Sequence, residues 1–217
     1  MRPRVKICCI SSVKEAKLAI QYGASALGLV GKMPSGPGVI EDELILDIQK
    51  NTPPPISTFL LTSETSVQDV ITHHRKVQTS VIQLVDALEN NAYHVLRQNL
   101  PGIKLVQVIH VINEKSVQEA IEVAPYVDAL LLDSGNPNLK IKILGGTGNI
   151  HDWNLSKKIK DSVDVPIFLA GGLKVENIRE AIKKVQPFGL DLCSSVRTDG
   201  KLDEKKLHAF FNEIEKI

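Results

Sequence analysis

Residues 165–197 read VPIFLAGGLKVENIREAIKKVQPFGLDLCSSVR, and this stretch decides the fold. An apolar run, Val165–Ala170, ends in Gly171-Gly172. A helix-period segment follows, with Val175, Ile178, Ala181, Ile182 and Val185 on one face. A second apolar run, Phe188–Cys193, then ends in Ser194-Ser195. Two successive strand-to-helix turns thus carry small residues that can turn backbone N–H groups toward one anion. A barrel of alternating strands and helices holds a phosphate in this way after its last two strands. A lone Gly-Gly makes only a tight turn, but two such turns on consecutive units point to an anion site.

The same alternation runs outward to both ends. Strands are expected at Arg4–Ile10, Ser25–Val30, Ile56–Leu61, Ser80–Val85, Lys104–His110, Asp128–Asp133, Val165–Ala170 and Phe188–Cys193. Most are nearly continuous apolar runs, as strands covered on both faces should be. Amphipathic helices lie between them. Ser12 with Glu15 forms a capping-box pattern, and Asn113 and Asp203 stand where N-caps would open the fifth and eighth helices. Eight such units predict an α/β chain forming a single (β/α)8 TIM barrel, one domain over residues 1–217; a doubly wound open sheet is the alternative. The longest gap follows the sixth strand and holds LGGTGNIHDW, Leu144–Trp153. A long glycine-rich excursion there reads as functional.

Composition narrows the function. The 217 residues carry a net charge of +1 and only 4% aromatics, so neither bulk charge nor stacking surface points to nucleic acid. No apolar run approaches the ~20 residues a membrane span needs. The opening MRPRVKICCI lacks the long apolar region of a signal peptide. Three cysteines, two of them adjacent, are no disulfide framework. A reduced, cytoplasmic protein is expected, as monomer or homodimer. The six histidines show no metal-ligand spacing, and no metal is expected. His73-His74 read as surface residues of a helix, and Lys157, Lys158 and Lys160 as a solvated helix face.

In a parallel barrel the C-terminal ends of the strands converge on one mouth. That gathers Cys8 and Cys9, Gly31 and Lys32, Thr62, Asp86, His110, Asp133, Gly171-Gly172 and Asp191–Ser195. Asp133 follows Ala129-Leu130-Leu131-Leu132, and a carboxylate at the end of so apolar a strand is pushed toward its protonated form, which suits a general acid. It could equally cap the next loop. Cys8 could serve as a base if a nearby cation stabilised its thiolate; most cysteines in apolar strands are inert. Strand alternation lets only one of Cys8 and Cys9 face the barrel axis.

The motifs resemble those of the phosphoribosylanthranilate isomerase family. The opening Val5-Lys6-Ile7-Cys8 is similar to the family's VKICGI, and GASALGLV (Gly23–Val30), VIQL (Val81–Leu84), LLLDS (Leu130–Ser134), GGTGNIHDW (Gly145–Trp153) and LAGGLKVENIREAI (Leu169–Ile182) follow in order. The resemblance spans essentially the whole chain. It implies a cofactor-free Amadori rearrangement of N-(5-phosphoribosyl)anthranilate to 1-(2-carboxyphenylamino)-1-deoxyribulose 5-phosphate in tryptophan biosynthesis. By resemblance, Cys8 is the general base and Asp133 the general acid. Gly171, Gly172, Ser194 and Ser195, helped by Gly146 and Gly148, bind the substrate phosphate, and Asp191 matches a position near the mouth.

Departures from the family pattern are specific. The arginine that holds the anthranilate carboxylate after strand two is missing; the loop here is Lys32–Val39, where Lys32 could supply charge. Cys9 replaces the glycine after the catalytic cysteine, and Val85-Asp86 stands for His-Gly. Ser195 falls on a glycine position and Arg197 on a glutamate position, which makes Arg197 a further candidate. Two alternatives remain open on this basis: a divergent paralogue acting on another phosphorylated sugar or amine, and a non-catalytic barrel that binds a phosphate ligand.

Overall fold

The eight strands pair in parallel around a closed barrel in chain order, β8 returning to β1. They are β1 (Arg4–Ile7), β2 (Ala26–Val30), β3 (Ser57–Thr62), β4 (Val81–Leu84), β5 (Lys104–His110), β6 (Ala129–Asp133), β7 (Ile167–Leu169) and β8 (Gly189–Leu192). The computed structural model describes residues 2–88, 92–135 and 148–217. Gly146, one of the expected phosphate residues, lies outside them.

Helices follow the strands: α1 (Val13–Gln21), α2 (Asp42–Lys50), α3 (Val67–Val77), α4 (Ala92–Asn99), α5 (Glu114–Val123), α6 (Trp153–Ser162), α7 (Ile178–Val185) and α8 (Glu204–Glu215). The expected caps are in place. Ser12 Oγ accepts from the Glu15 N–H at 3.1 Å, Asn113 caps α5 and Asp203 caps α8. The Glu15 carboxylate reaches back one residue further than a capping box requires, to the Ser11 N–H. Val175 lies ahead of α7, which opens at Ile178.

Two apolar layers result from strands whose alternate side chains face opposite ways. Ile7, Leu27, Leu29, Leu60 and Ile82 pack outward against the helices. Ala26, Phe59, Val81, Val106, Leu131 and Phe168 fill the barrel itself. Phe59 and Phe168 meet edge to face across it. This filled interior closes the floor and leaves the C-terminal mouth as the place for a ligand.

β1 was expected to run to Ile10 and stops at Ile7 because Cys9 takes a left-handed backbone, φ 61°. The histidine pair also departs from expectation. His74 is buried and bonds through Nε2 to the Thr79 carbonyl, while His73 Nε2 meets Asp42 at 2.9 Å. The surface expectation for His73-His74 therefore fails. α3 is only half exposed, and both imidazoles have bonding partners inside the helix–strand layer. Lys157, Lys158 and Lys160 do form a solvated face, paired with Asp161 and Glu114.

Candidate active site

A cavity opens at the C-terminal ends of the strands. Cys8, Asp133, Asp191, the Gly171-Gly172 turn and the Ser194-Ser195 turn all line it. Residues up to 187 positions apart in sequence thus share one chamber because every parallel strand ends at the same rim.

The phosphate side is built from backbone. Gly171 and Gly172 adopt φ 75° and 62°, a region that a Cβ would strain. A Cβ on Gly172 would also stand 2.8 Å from the Asn149 carbonyl carbon. Asn149 and Ile150 therefore pack against this turn, and Gly148 lies close to Ser194. The N–H groups of Gly171 and Gly172 have no backbone acceptor among the described residues. Ser194 and Ser195 open a short 3-10 turn, whose first N–H groups have no partner within it. The two turns line the same end of the cavity.

The proton-handling side is built from buried charge. Lys6 has no exposed surface, and its Nζ lies 2.8 Å from Asp191 Oδ1. The strand register makes them direct neighbours across the β1–β8 seam. Burial alone would drive the Lys6 ammonium to lose its proton, but the Asp191 carboxylate, together with Cys8 and Cys9, reverses this and raises its affinity for the proton. Burial pushes both Asp133 and Asp191 above the usual carboxylate range. Their partners differ. Asp191 has the ammonium; Asp133 Oδ1 accepts from the Ser134 N–H at 2.7 Å. His110, its register partner on β5, donates from Nε2 to the Val85 carbonyl and leaves the Asp133 carboxyl to the cavity.

Both cysteines line the cavity, against the expectation that only one could. Alternation holds only while the backbone stays extended, and the left-handed Cys9 breaks it. Cys9 Sγ lies 2.8 Å from Cys193 Sγ and 3.5 Å from the Pro37 carbonyl. The contact with Cys193, the neighbouring Cys8 and burial hold the Cys9 thiol well above the usual thiol range. Of the two, Cys8 is the better placed to act as a base.

Arg197 and Lys32 do not join the cavity. The Arg197 guanidinium is buried in a pair with Glu15 and donates to the Cys8 and Cys9 carbonyls. It braces the end of β1 instead of meeting a ligand, because Glu15 on α1 supplies its counter-charge inside the wall. Lys32 is exposed, and it is absent from the cavity wall. The β2 side of the chamber is lined instead by Val30, Met33, Ser35, Gly36 and Pro37. No lysine or arginine lines the cavity among the described residues. Lys6 and Gln83 went unnoticed as site residues. Lys6 shares strand parity with Cys8, a signal that was available; Gln83 sits on an inward position of β4 and lines the cavity. Among the described residues, no group of three or more His, Cys, Asp or Glu side chains is arranged to hold a metal ion.

Fold and site together define a (β/α)8 barrel whose mouth gathers two small-residue turns, two buried carboxyls and buried thiols. Residues 5–213 match the model of the N-(5'-phosphoribosyl)anthranilate (PRA) isomerase family, and the chain belongs to that family. The N-(5'-phosphoribosyl)anthranilate isomerase of Methanosarcina acetivorans is 31% identical over 227 aligned residues, covering 99% of this chain and 94% of that one. The crystal structure of phosphoribosyl anthranilate isomerase from Thermotoga maritima superposes with a TM-score of 0.82 at 27% identity, over 99% of this chain and all of that one. A second isomerase structure, in complex with reduced 1-(o-carboxyphenylamino)-1-deoxyribulose 5-phosphate, has a TM-score of 0.79 at 25% identity over 99% of this chain and 100% of that one.

Proposed function

We propose that this barrel, as one domain over residues 1–217, isomerises N-(5-phosphoribosyl)anthranilate to 1-(2-carboxyphenylamino)-1-deoxyribulose 5-phosphate, a step of tryptophan biosynthesis. One observation carries the assignment of roles: Cys8 and Asp133 line the same cavity as the two anion-binding turns. Asp133, whose carboxyl burial pushes toward the protonated form, gives its proton to the furanose ring oxygen as the C1′–O bond breaks and the nitrogen lone pair forms C1′=N. The Cys8 thiolate takes the C2′ proton. The C–H pair becomes C1′=C2′ and the C=N pair returns to nitrogen. The resulting enolamine ketonises to the product. Gly148, Gly171, Gly172, Ser194 and Ser195 hold the phosphate, which fixes the sugar between acid and base. Val30, Met33 and Leu61 offer an apolar wall for the aromatic ring.

Turnover of freshly prepared phosphoribosylanthranilate, followed by loss of its fluorescence, tests this. Cys8→Ala and Asp133→Asn should each lower kcat by about 10²- to 10⁴-fold, the usual contribution of a positioned acid or base. A folded native chain that turns over no substrate sinks the reaction; variants as fast as the native chain sink the two roles.

A further inference from the structure

The proton-transfer reading leaves unexplained a full positive charge within the barrel. Lys6 is one of the largest fully buried side chains of the protein, and a lone ammonium there would cost several kcal/mol. Its neighbours account for its presence. Asp191 Oδ1 lies at 2.8 Å, and the Phe59 ring centroid at 5.3 Å presents its negative face. A third neighbour is Cys8. Position 28 of β2 is glycine, and a Cβ there would stand 2.8 Å from Cys8 Sγ and 2.9 Å from Lys6 Nζ. The sulfur and the ammonium therefore flank one point, the place that a side chain at position 28 would occupy.

We propose that Lys6 is a positioning residue that sorts the charges of this site: its ammonium sets one fixed positive charge beside Asp191 and near Cys8, and leaves Asp133, the carboxyl with no bonded cation among the described residues, to donate the proton. The inference rests on the roles given above to Cys8 and Asp133. Two buried carboxyls and one thiol share a single fixed cation. Asp191 is bonded to it, and the ammonium offsets part of the burial that favours the protonated carboxyl. Asp133, bonded to the amide and hydroxyl of Ser134, is left as the donor. The sulfur, beside the same ammonium, gains a favourable Coulomb interaction only when it is negatively charged. One cation thus separates base from acid.

The other groups around Cys8 do not replace this charge. Cys9 follows it and is held as a thiol, Cys193 beyond β8 is in contact with Cys9, and Asp133 and His110 face it from β6 and β5. The Arg197 guanidinium reaches the Cys8 carbonyl while paired with Glu15. From β2, β3, β4 and β7 the inward side chains are uncharged: Val30, Leu61, Gln83 and Ala170 among them.

The test uses the full chain with Cys9→Ser and Cys193→Ser, so that iodoacetamide reports on Cys8 alone. Lys6→Met removes the charge but strands Asp191; Lys6→Met with Asp191→Leu removes both charges and keeps an apolar interior, a change that buried ion pairs tolerate. Circular dichroism and thermal melting establish folding. In the folded double variant, Cys8 alkylation at neutral pH should slow by about 10-fold or more, since thiolate content sets the rate. In the same variant kcat should fall by about 10²-fold, with KM changed by less than about threefold, as for a group that acts through the proton-transfer residues. Native alkylation rates in that variant overturn the proposal. If Cys8→Ala is as active as the native chain, the base assignment falls, whereas slowed alkylation would still place the Lys6 charge on the sulfur.

Discussion

On the β7–β8 side of the mouth, left-handed glycines with Asn149 and Ile150 packed against them and a 3-10 turn line the cavity with main chain. Across the chamber, the β2 side consists of the Lys32–Val39 loop, tied to the barrel through the Val30–Val39 bridge and the contact of Cys9 Sγ with the Pro37 carbonyl. On the proposed reading, one side recognises with backbone, the other with side chains. Backbone recognition depends on conformation, so it persists as long as glycine is kept where φ is positive. Side-chain recognition changes with each substitution. The family motifs are therefore easiest to follow around Gly171 and Ser194 and hardest to follow around Lys32. The cavity wall on the β2 side is apolar and uncharged, suited to an aromatic ring.

Three substitutions would break or sharpen this contrast. The largest effect is expected from Arg197→Leu, which cuts the brace between the Ser194–Val196 turn and the Cys8 and Cys9 carbonyls. Stranding Glu15 inside the wall should cost about 3–5 kcal/mol in denaturant unfolding, as for a broken buried pair. The native chain should also show an acid dependence that the variant lacks. Burial favours protonation of Glu15, but the Leu202 and Ser11 N–H groups and Arg197 together bring it below the usual carboxylate range. Its contribution is thus complete above the ordinary carboxylate pKa and is lost as pH falls through the lowered folded value. Equal stabilities across that acid range would show that the backbone side does not depend on this brace.

Gly172→Ala should act next most strongly. The new Cβ meets the Asn149 carbonyl carbon and the backbone sits at φ 62°, a strain of about 1–3 kcal/mol. Weakened phosphate binding should raise KM about 10-fold, with a smaller change in kcat. An unaltered KM would mean that this turn does not grip the phosphate. Lys32→Ala should have the smallest effect, under about threefold in kcat/KM, because an exposed charge contributes little. A larger loss would put a cation on the β2 side and erase the difference between the two sides.

Much of the barrel was legible because its signals are local. Continuous apolar runs, N-caps at Ser12, Asn113 and Asp203, and regular spacing all follow from the chain's own backbone needs. Cys8, Asp133 and Asp191 were legible as rim residues because each ends a recognisable strand. Arg197 and Lys32 were not placed correctly by the same logic. Sequence position puts both near the mouth, yet the direction of a long side chain depends on where its counter-charge lies. For Arg197 that is Glu15, 182 residues away in the chain. His73 and His74 misled for a related reason: helical spacing tells which residues face apart, but not how deeply the helix sinks into the wall.

By itself, the sequence determined the succession of eight βα units, the small-residue turns after the last two strands, and the acid and thiol at strand ends, since periodicity and backbone permissiveness are properties of short segments. Only the tertiary structure decided which of the adjacent cysteines is held as a thiol, that the charge of Lys6 is paired with Asp191, and that Cys8 flanks the same glycine as that charge. Those outcomes depend on the β1–β8 seam closing the barrel and on the missing side chain of Gly28, which place charges from opposite ends of the chain where burial makes their interactions strong.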